Sequence, residues 1–340
     1  MIRIAEFTEQ YLGQVLDFGA RHRLRWGGNE ALFRWKFFSH PRSADGARNH
    51  FWLVLDGERV VGINGGLTCE YWIGGQCVAG ISSVDWYLDD ACRGKGTGRE
   101  LLGVMEQLAP LKLPILSSEV AHRLQLGRGY SALPMTFTTL RVRRPLACAA
   151  WWLRRSRPAR SSQPSRSFAP AVSILLASPR LRLLRENETA EVLRLMIDAQ
   201  QRYYFCALHD PRFLIWKYRQ PPQRCGETFV LEQNGRPCAV FALASQNRGG
   251  LDVLLLGDLH TVKDGGDSAR IVRQLVARAA NALGADAVTA FGMGPHTRAV
   301  QAGAAPCVRR LHRASVRWDG GTLDLKRADW YVSASYSDYL

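Results

Sequence analysis

Long apolar runs are missing from this 340-residue chain. No uncharged stretch approaches the roughly 18–20 apolar residues that a membrane-spanning helix requires, and the segment from Tyr71 to Val84 is polar and glycine-rich. The first ten residues reach Glu6 and Glu9 too early for the apolar region of a leader peptide, so the protein is expected to stay in the cytoplasm. None of the eight cysteines stands in a C-x-x-C pair or in a zinc-type Cys/His cluster. They read as reduced thiols, and no disulfide framework is expected. His40, His50 and His122 lack partners at ligand spacing, so no metal is expected either. Acidic residues vanish altogether between 141 and 185, where eleven arginines stand without one Asp or Glu. The formal net charge of +15 therefore resides in a connector, and the flanking segments 1–140 and 186–340 are nearly balanced.

What remains is an ordinary globular composition, 46% hydrophobic and 22% charged, and the length favours two domains. The two parts resemble each other. Ile2–Glu6 reads as a strand, Thr8 as an N-cap, and Leu12, Val15 and Leu16 as the start of a helical stripe; Leu181–Leu184, Asn187, and Val192, Leu193 and Met196 repeat that order. ALFRWKFFSHP (Ala31 to Pro41) then parallels RFLIWKYRQPP (Arg212 to Pro222), with Trp35-Lys36 matching Trp216-Lys217. Two hairpins follow, turning at Asp56-Gly57 and at Asn234-Gly235. Asp85-Trp86-Tyr87 pairs with Asp258-Leu259-His260. Four matches in one order at nearly one offset predict two copies of an α+β unit, each running strand, helix, helix, hairpin, strand, helix, strand, helix, strand. The expected boundaries are 1–143, an Arg-rich linker at 144–179, and 180–340.

The sharpest local signal is the run from Val84 to Leu108. A strand (Ile81 to Leu88) enters Arg93-Gly94-Lys95-Gly96-Thr97-Gly98, and a helix follows with Leu101, Leu102, Met105 and Leu108 at helical spacing. Three glycines in five residues let the backbone turn its N–H groups inward. A helix N-terminus beside two basic side chains then makes a cradle for pyrophosphate. The spacing fits neither a dinucleotide fingerprint nor a Walker A loop. Read as R-x-x-G-x-G, at Arg93, Gly96 and Gly98, it resembles the coenzyme A loop of the GNAT acyltransferase superfamily. The unit order and Gly129-Tyr130 after a helix are similar to that family as well.

The resemblance implies two mixed-sheet acyl-CoA N-acyltransferase units in tandem, similar to chains encoded with bacterial surface-polysaccharide pathways. It implies acetyl-CoA or another acyl-CoA as co-substrate. The backbone of Trp86, Tyr87 and Leu88 would pair with the pantetheine arm, and the residues from Arg93 through Gly94, Lys95, Gly96, Thr97 and Gly98 to Arg99 would hold the pyrophosphate. The acceptor is expected to be a small amine, such as an amino sugar.

An ammonium must lose a proton before it attacks a thioester, and a carboxylate is the usual base. Asp85, on the strand beside the acyl group, and Glu119, expected at the end of the next strand, are the two candidates. Where the family often carries a tyrosine acid this chain has Gln125, with Gln301 in the second copy; Tyr87 or Tyr130 could substitute. The second copy has TVKDGGDSARIV (Thr261 to Val272) in place of the cradle, and Asp264 and Asp267 would repel a pyrophosphate, so one working site is expected. Two further readings stay open: a Fem-type aminoacyl transferase using aminoacyl-tRNA, and a non-catalytic scaffold. Nucleic acid is not the expected partner. Residues 145–160 join Trp151-Trp152 to four arginines, which allows weak contact with an anionic membrane at its inner face; the alternative is that the apolar run packs between the units.

Overall fold

A computed structural model of the chain describes residues 2–43, 46–133, 136–154, 167–223, 225–262, 266–302, 307–326 and 329–333. The first half runs β1 (Ile2–Glu6), α1 (Leu12–Arg21), α2 (Glu30–Phe38), β2 (His50–Asp56), β3 (Arg59–Ile73), β4 (Gln76–Leu88), α3 (Thr97–Glu106), β5 (Leu111–Lys112), α4 (Glu119–Leu126), β6 (Ser131–Ala132) and β7 (Thr136–Val142). The connector carries a helix at each described end, α5 (Pro145–Arg154) and α6 (Ala169–Leu176); its Arg/Ser/Pro centre, 155–166, lies outside the described residues.

The second half runs β8 (Leu181–Leu183), α7 (Ala190–Gln201), β9 (Phe205–Ala207), α8 (Pro211–Tyr218), β10 (Gly226–Gln233), β11 (Arg236–Asn247), β12 (Asp252–Thr261), α9 (Gly266–Ala282), β13 (Ala287–Gly292), α10 (Pro295–Gln301), β14 (Cys307–His312), β15 (Ser315–Trp318) and β16 (Trp330–Tyr331). The expected element order holds in both halves, with β6 added in the first and β9, β15 and β16 added in the second. The chain is α+β, two mixed sheets flanked by helices.

Local chemistry accounts for the common elements. Asn29, Ser118, Thr189 and Asp210 each accept a backbone N–H in the first turn of α2, α4, α7 and α8, satisfying donors that a helix start leaves open. Thr189, rather than Asn187, therefore caps α7. Thr8 precedes a single 3-10 turn and makes no side-chain cap. Asn234 and Gly235 both have positive φ, 54° and 72°, which matches the twist of a two-residue hairpin loop between β10 and β11.

The sheets do not follow the sequence halves. One sheet orders β1-β2-β3-β4-β5-β15-β6, and the other orders β14-β7-β13-β12-β11-β10-β8. Thus β7 from the first half lies between β13 and β14, while β15 from the second half lies between β5 and β6. Each half lends the other a late strand. Lys112 on β5, itself buried, forms an ion pair with Asp319 just past β15 and pins the exchange. A boundary at 143 follows the repeat, but it separates β5 and β6 from the strand that joins them. One core cluster accordingly draws on both halves, joining Tyr71, Leu111 and Leu113 to Val192, Trp216 and Trp330.

Candidate acyl-CoA site

Strands β4 and β5 are parallel and pair only at Gly80–Leu111 and Ile81–Lys112. Beyond that point they part. From Ser83 to Leu88 the chain keeps β3 on one side, and among the described residues no strand pairs with its other side. The backbone groups along that edge are the kind an extended ligand can join as an added strand.

Within this stretch the register slips between Ile63/Tyr87 and Gly65/Val84, so Asp85 and Trp86 oppose Asn64 alone. Asp85 sits in the bulge at φ 50°, a backbone region that side chains rarely adopt. Its carboxylate is buried, with Lys36 Nζ at 2.6 Å and Trp26 Nε1 donating at 2.6 Å. Lys36 stands on α2 and Trp26 in the turn before it, so two elements of the first half converge on the bulge. The Trp-Lys repeat singled out Lys36 by position, though nothing in its type announced an ion pair with Asp85; Trp26 carried no signal at all.

Trp86 and Leu88 turn to the α3 side and pack with Val54, Val61, Cys92 and Leu101. Tyr87 turns the other way, its half-exposed ring 5.7 Å from that of His22. His22 Nε2 in turn lies 3.1 Å from Asp89 Oδ1.

The strand then delivers the chain to the glycine loop. Gly94 and Gly96 have φ of 77° and 86°, and no atom lies within 4 Å of where a Cβ would stand on either. Gly96 is the N-cap of α3, so the N–H groups of Thr97 and Gly98 open the helix unpaired within it. Arg93, Lys95 and Arg99 are exposed around the loop, Arg93 meeting Asp90 at 2.7 Å. Orphan N–H groups, a helix dipole and cationic side chains suit a polyanion.

Glu119 is not at a strand end. Ser118 caps α4 and Glu119 is its first residue, exposed and paired with Arg313 at 3.4 Å and Arg123 at 3.8 Å. A charged residue directly after Ser-Ser reads better as a helix first turn than as a strand terminus. Gln125 is buried and accepts from Ser117 Oγ and Ser315 Oγ, tying α4 to the exchanged strand β15. Tyr130 is buried, and that burial pushes its hydroxyl above the usual tyrosine range.

The second half is built on the same scheme and then filled. Its β12 and β13 pair from Val253/Ala287 to Leu255/Thr289 and part, and its bulge lies beside Asp258. Into the gap comes the chain's own segment 329–333. Val332 bridges Met293, and the Tyr331 hydroxyl accepts from Leu259 N at 3.1 Å while donating to Asp258 Oδ1 at 3.0 Å. Of the two aspartates expected to repel phosphate there, Asp267 is exposed in the first turn of α9 and meets Arg270, whereas Asp264 lies outside the described residues.

Solved structures of similar fold include N-acyltransferases. A GCN5-related N-acetyltransferase from Anabaena variabilis matches 94% of this chain and 73% of its own, at 14% identity and a TM-score of 0.58. One from Kribbella flavida matches 94% and 73%, at 17% identity and a TM-score of 0.54. Saccharomyces cerevisiae N-myristoyltransferase with bound myristoyl-CoA matches 96% and 84%, at 12% identity and a TM-score of 0.58. The chain has the GNAT fold. No family model matches the sequence, and neither does any curated protein.

Proposed function

We propose that this protein is an acyl-CoA-dependent N-acyltransferase with its single working site in the first half. The supporting observation is the asymmetry between the two clefts: one has an unpaired strand edge leading to an open glycine loop, and the other is occupied by Tyr331 and Val332. In this reading the pantetheine arm pairs with β4 at Trp86, Tyr87 and Leu88. The residues from Arg93 to Arg99 hold the pyrophosphate, and a backbone N–H at the bulge meets the thioester oxygen. The amine nitrogen attacks the carbonyl carbon, the C–S bond breaks, and the thiol leaves as thiolate. With a thiol pKa near 8.5, that departure needs little protonation, so Gln125 in place of a tyrosine acid is compatible with turnover. Asp85 is the carboxylate nearest the bulge and the proposed base; Lys36 and Trp26 hold it there.

The donor is acetyl-CoA or another acyl-CoA, and the acceptor is a primary amine such as that of an amino sugar. Calorimetry with coenzyme A, acetyl-CoA and longer acyl-CoAs tests the reading on the full chain. One equivalent bound is expected, and two equivalents or none would overturn it. A charged aminoacyl-tRNA in the same assay is expected not to bind.

A second contact concerns location. Among the described residues, no helix is long and apolar enough to cross a membrane. On α5, Trp151 is tied to the Arg248 carbonyl at 2.7 Å, while Leu146, Trp152 and Leu153 are 87%, 56% and 71% exposed. We propose that this face rests on anionic lipid at the inner membrane surface, an expectation that in the sequence also drew on the arginines of 154–160, whose side chains lie outside the described residues. Co-sedimentation with anionic but not neutral vesicles at ~0.15 M salt is expected; equal pelleting with both would sink the idea.

A further inference from the structure

Three side chains with metal-ligating atoms converge on the bulge of the second half. Asp258 and His260 lie two residues apart on β12 and so share one face of the strand. His209 comes from the short connection between β9 and α8. All three are buried, and one ligand atom from each lies within 4.8 Å of the other two. His209 Nδ1 is 3.7 Å from Asp258 Oδ1. The edge of a tetrahedral site with metal–ligand bonds of 2.0–2.1 Å is roughly 3.4 Å.

His260 carries the case for a ligand. Both of its ring nitrogens are buried and neither has a hydrogen-bond partner among the described residues. A neutral imidazole offers one donor and one acceptor, and folded proteins seldom leave both unmade in the interior.

Asp258 has the orientation of a held ligand. The hydroxyls of Tyr218 and Tyr331 donate to its two oxygens at 2.6 and 3.0 Å. Such outer hydrogen bonds are how metal-binding carboxylates are commonly fixed. The corresponding bulge carboxylate of the first half, Asp85, is met by an ammonium and an indole instead.

We propose that His209, Asp258 and His260 bind one divalent cation of borderline softness, Zn²⁺ foremost, for which two imidazoles and a carboxylate are an apt donor set. All three ligands are buried, which suits an ion that holds structure. It links β12 to the connection before α8 and, through Tyr331, to the chain's last described strand. The sequence concealed it, because the ligands are 49 and 2 residues apart and no Cys or His pair marks the place.

The test uses the full chain produced in zinc-supplemented medium. Elemental analysis should find about one zinc per chain. Because the ligands are sealed, the metal is exchanged by unfolding in urea with chelator and refolding with or without Co²⁺. Cobalt-refolded protein should show the visible absorption of a tetrahedral site, and chelator-refolded protein should melt earlier. His260→Gln should lose both the zinc and the cobalt spectrum. Zinc far below one per chain, together with no cobalt absorption and unchanged melting, would overturn the proposal. So would a folded His260→Gln protein that keeps the metal. If that variant does not fold, the cobalt spectrum of the unmodified protein decides.

Discussion

The indole of Trp35 stacks on that of Trp216, with ring centroids 5.1 Å apart and 28° between the planes. Its Nε1 also donates to the Trp216 carbonyl at 3.1 Å. These residues occupy matching places in the repeat, so the two halves meet through a residue and its own counterpart. Around them the shared core and the exchanged strands β7 and β15 make one cooperative body.

Trp216→Ala should cost about 3–5 kcal/mol, since its ring is fully enclosed. Trp35→Ala should cost less, its ring being only half-buried. The double variant should show a coupling of about 0.5–1.5 kcal/mol in urea denaturation, the range for aromatic pairs. Strict additivity would mean that the stack contributes nothing beyond buried area.

Gly96→Asp should weaken coenzyme A binding by at least ~10²-fold, through a carboxylate and a Cβ set among phosphate oxygens. The open space around Gly96 and its φ of 86° mean that folding suffers only backbone strain. Gly235→Asp, at φ 72° with equally open surroundings, carries the same strain without touching the loop. Calorimetry on both variants checks the pair: Gly235→Asp should bind as the unmodified chain does.

Asp85→Asn strands the Lys36 ammonium in the interior and should destabilise the fold by about 3–5 kcal/mol. Adding Lys36→Met should restore most of that loss, which denaturation curves will show. The double variant then isolates the chemistry, and its turnover should fall by ~10²–10⁴ with coenzyme A affinity nearly kept. Turnover that survives in it would leave Asp85 as a support of the bulge only.

Stability should fall as pH drops from about 6.5 toward 4. Burial, aided by Arg310 and Arg248, pushes His312 down to about 4, and burial lowers His296 as well. Folded, both imidazoles take up protons less readily than they do in the unfolded chain. The unfolded state therefore binds more protons, and its share grows on acidification. For His312 the loss is at most about 3 kcal/mol, complete near pH 4. His312→Gln should flatten the pH dependence of the urea midpoint by that share.

Much of the fold is legible in the sequence because it depends on short-range rules. The hairpin at Asn234-Gly235, the strand into Arg93–Gly98 and the helix after it follow from turn chemistry and apolar periodicity. The glycine loop could be read because its chemistry is in the backbone, which three glycines announce. Glu119 was harder to place: whether Ser118 ends a strand or caps a helix depends on which backbone groups lack partners, and that is settled in three dimensions. The α5 helix is similar. Its composition allows either packing or exposure, and contact with Arg248 draws Trp151 inward while Trp152 stays outside.

By itself, then, the sequence determined the repeated α+β order and the glycine-rich turn between β4 and α3. Tertiary structure alone decided that β7 and β15 trade places, that Lys36 and Trp26 hold Asp85, and that Tyr331 fills the second cleft beside His209, Asp258 and His260. A strand's own residues encode which faces are buried, but the edge it pairs with is chosen by whichever partner closes the whole core. Positions 85 and 258 carry matching aspartates, Asp85 within the bulge of β4 and Asp258 directly after that of β12. Their partners differ, Lys36 and Trp26 for one and Tyr218 and Tyr331 for the other, and those come from residues far away in the chain, which no local pattern contains.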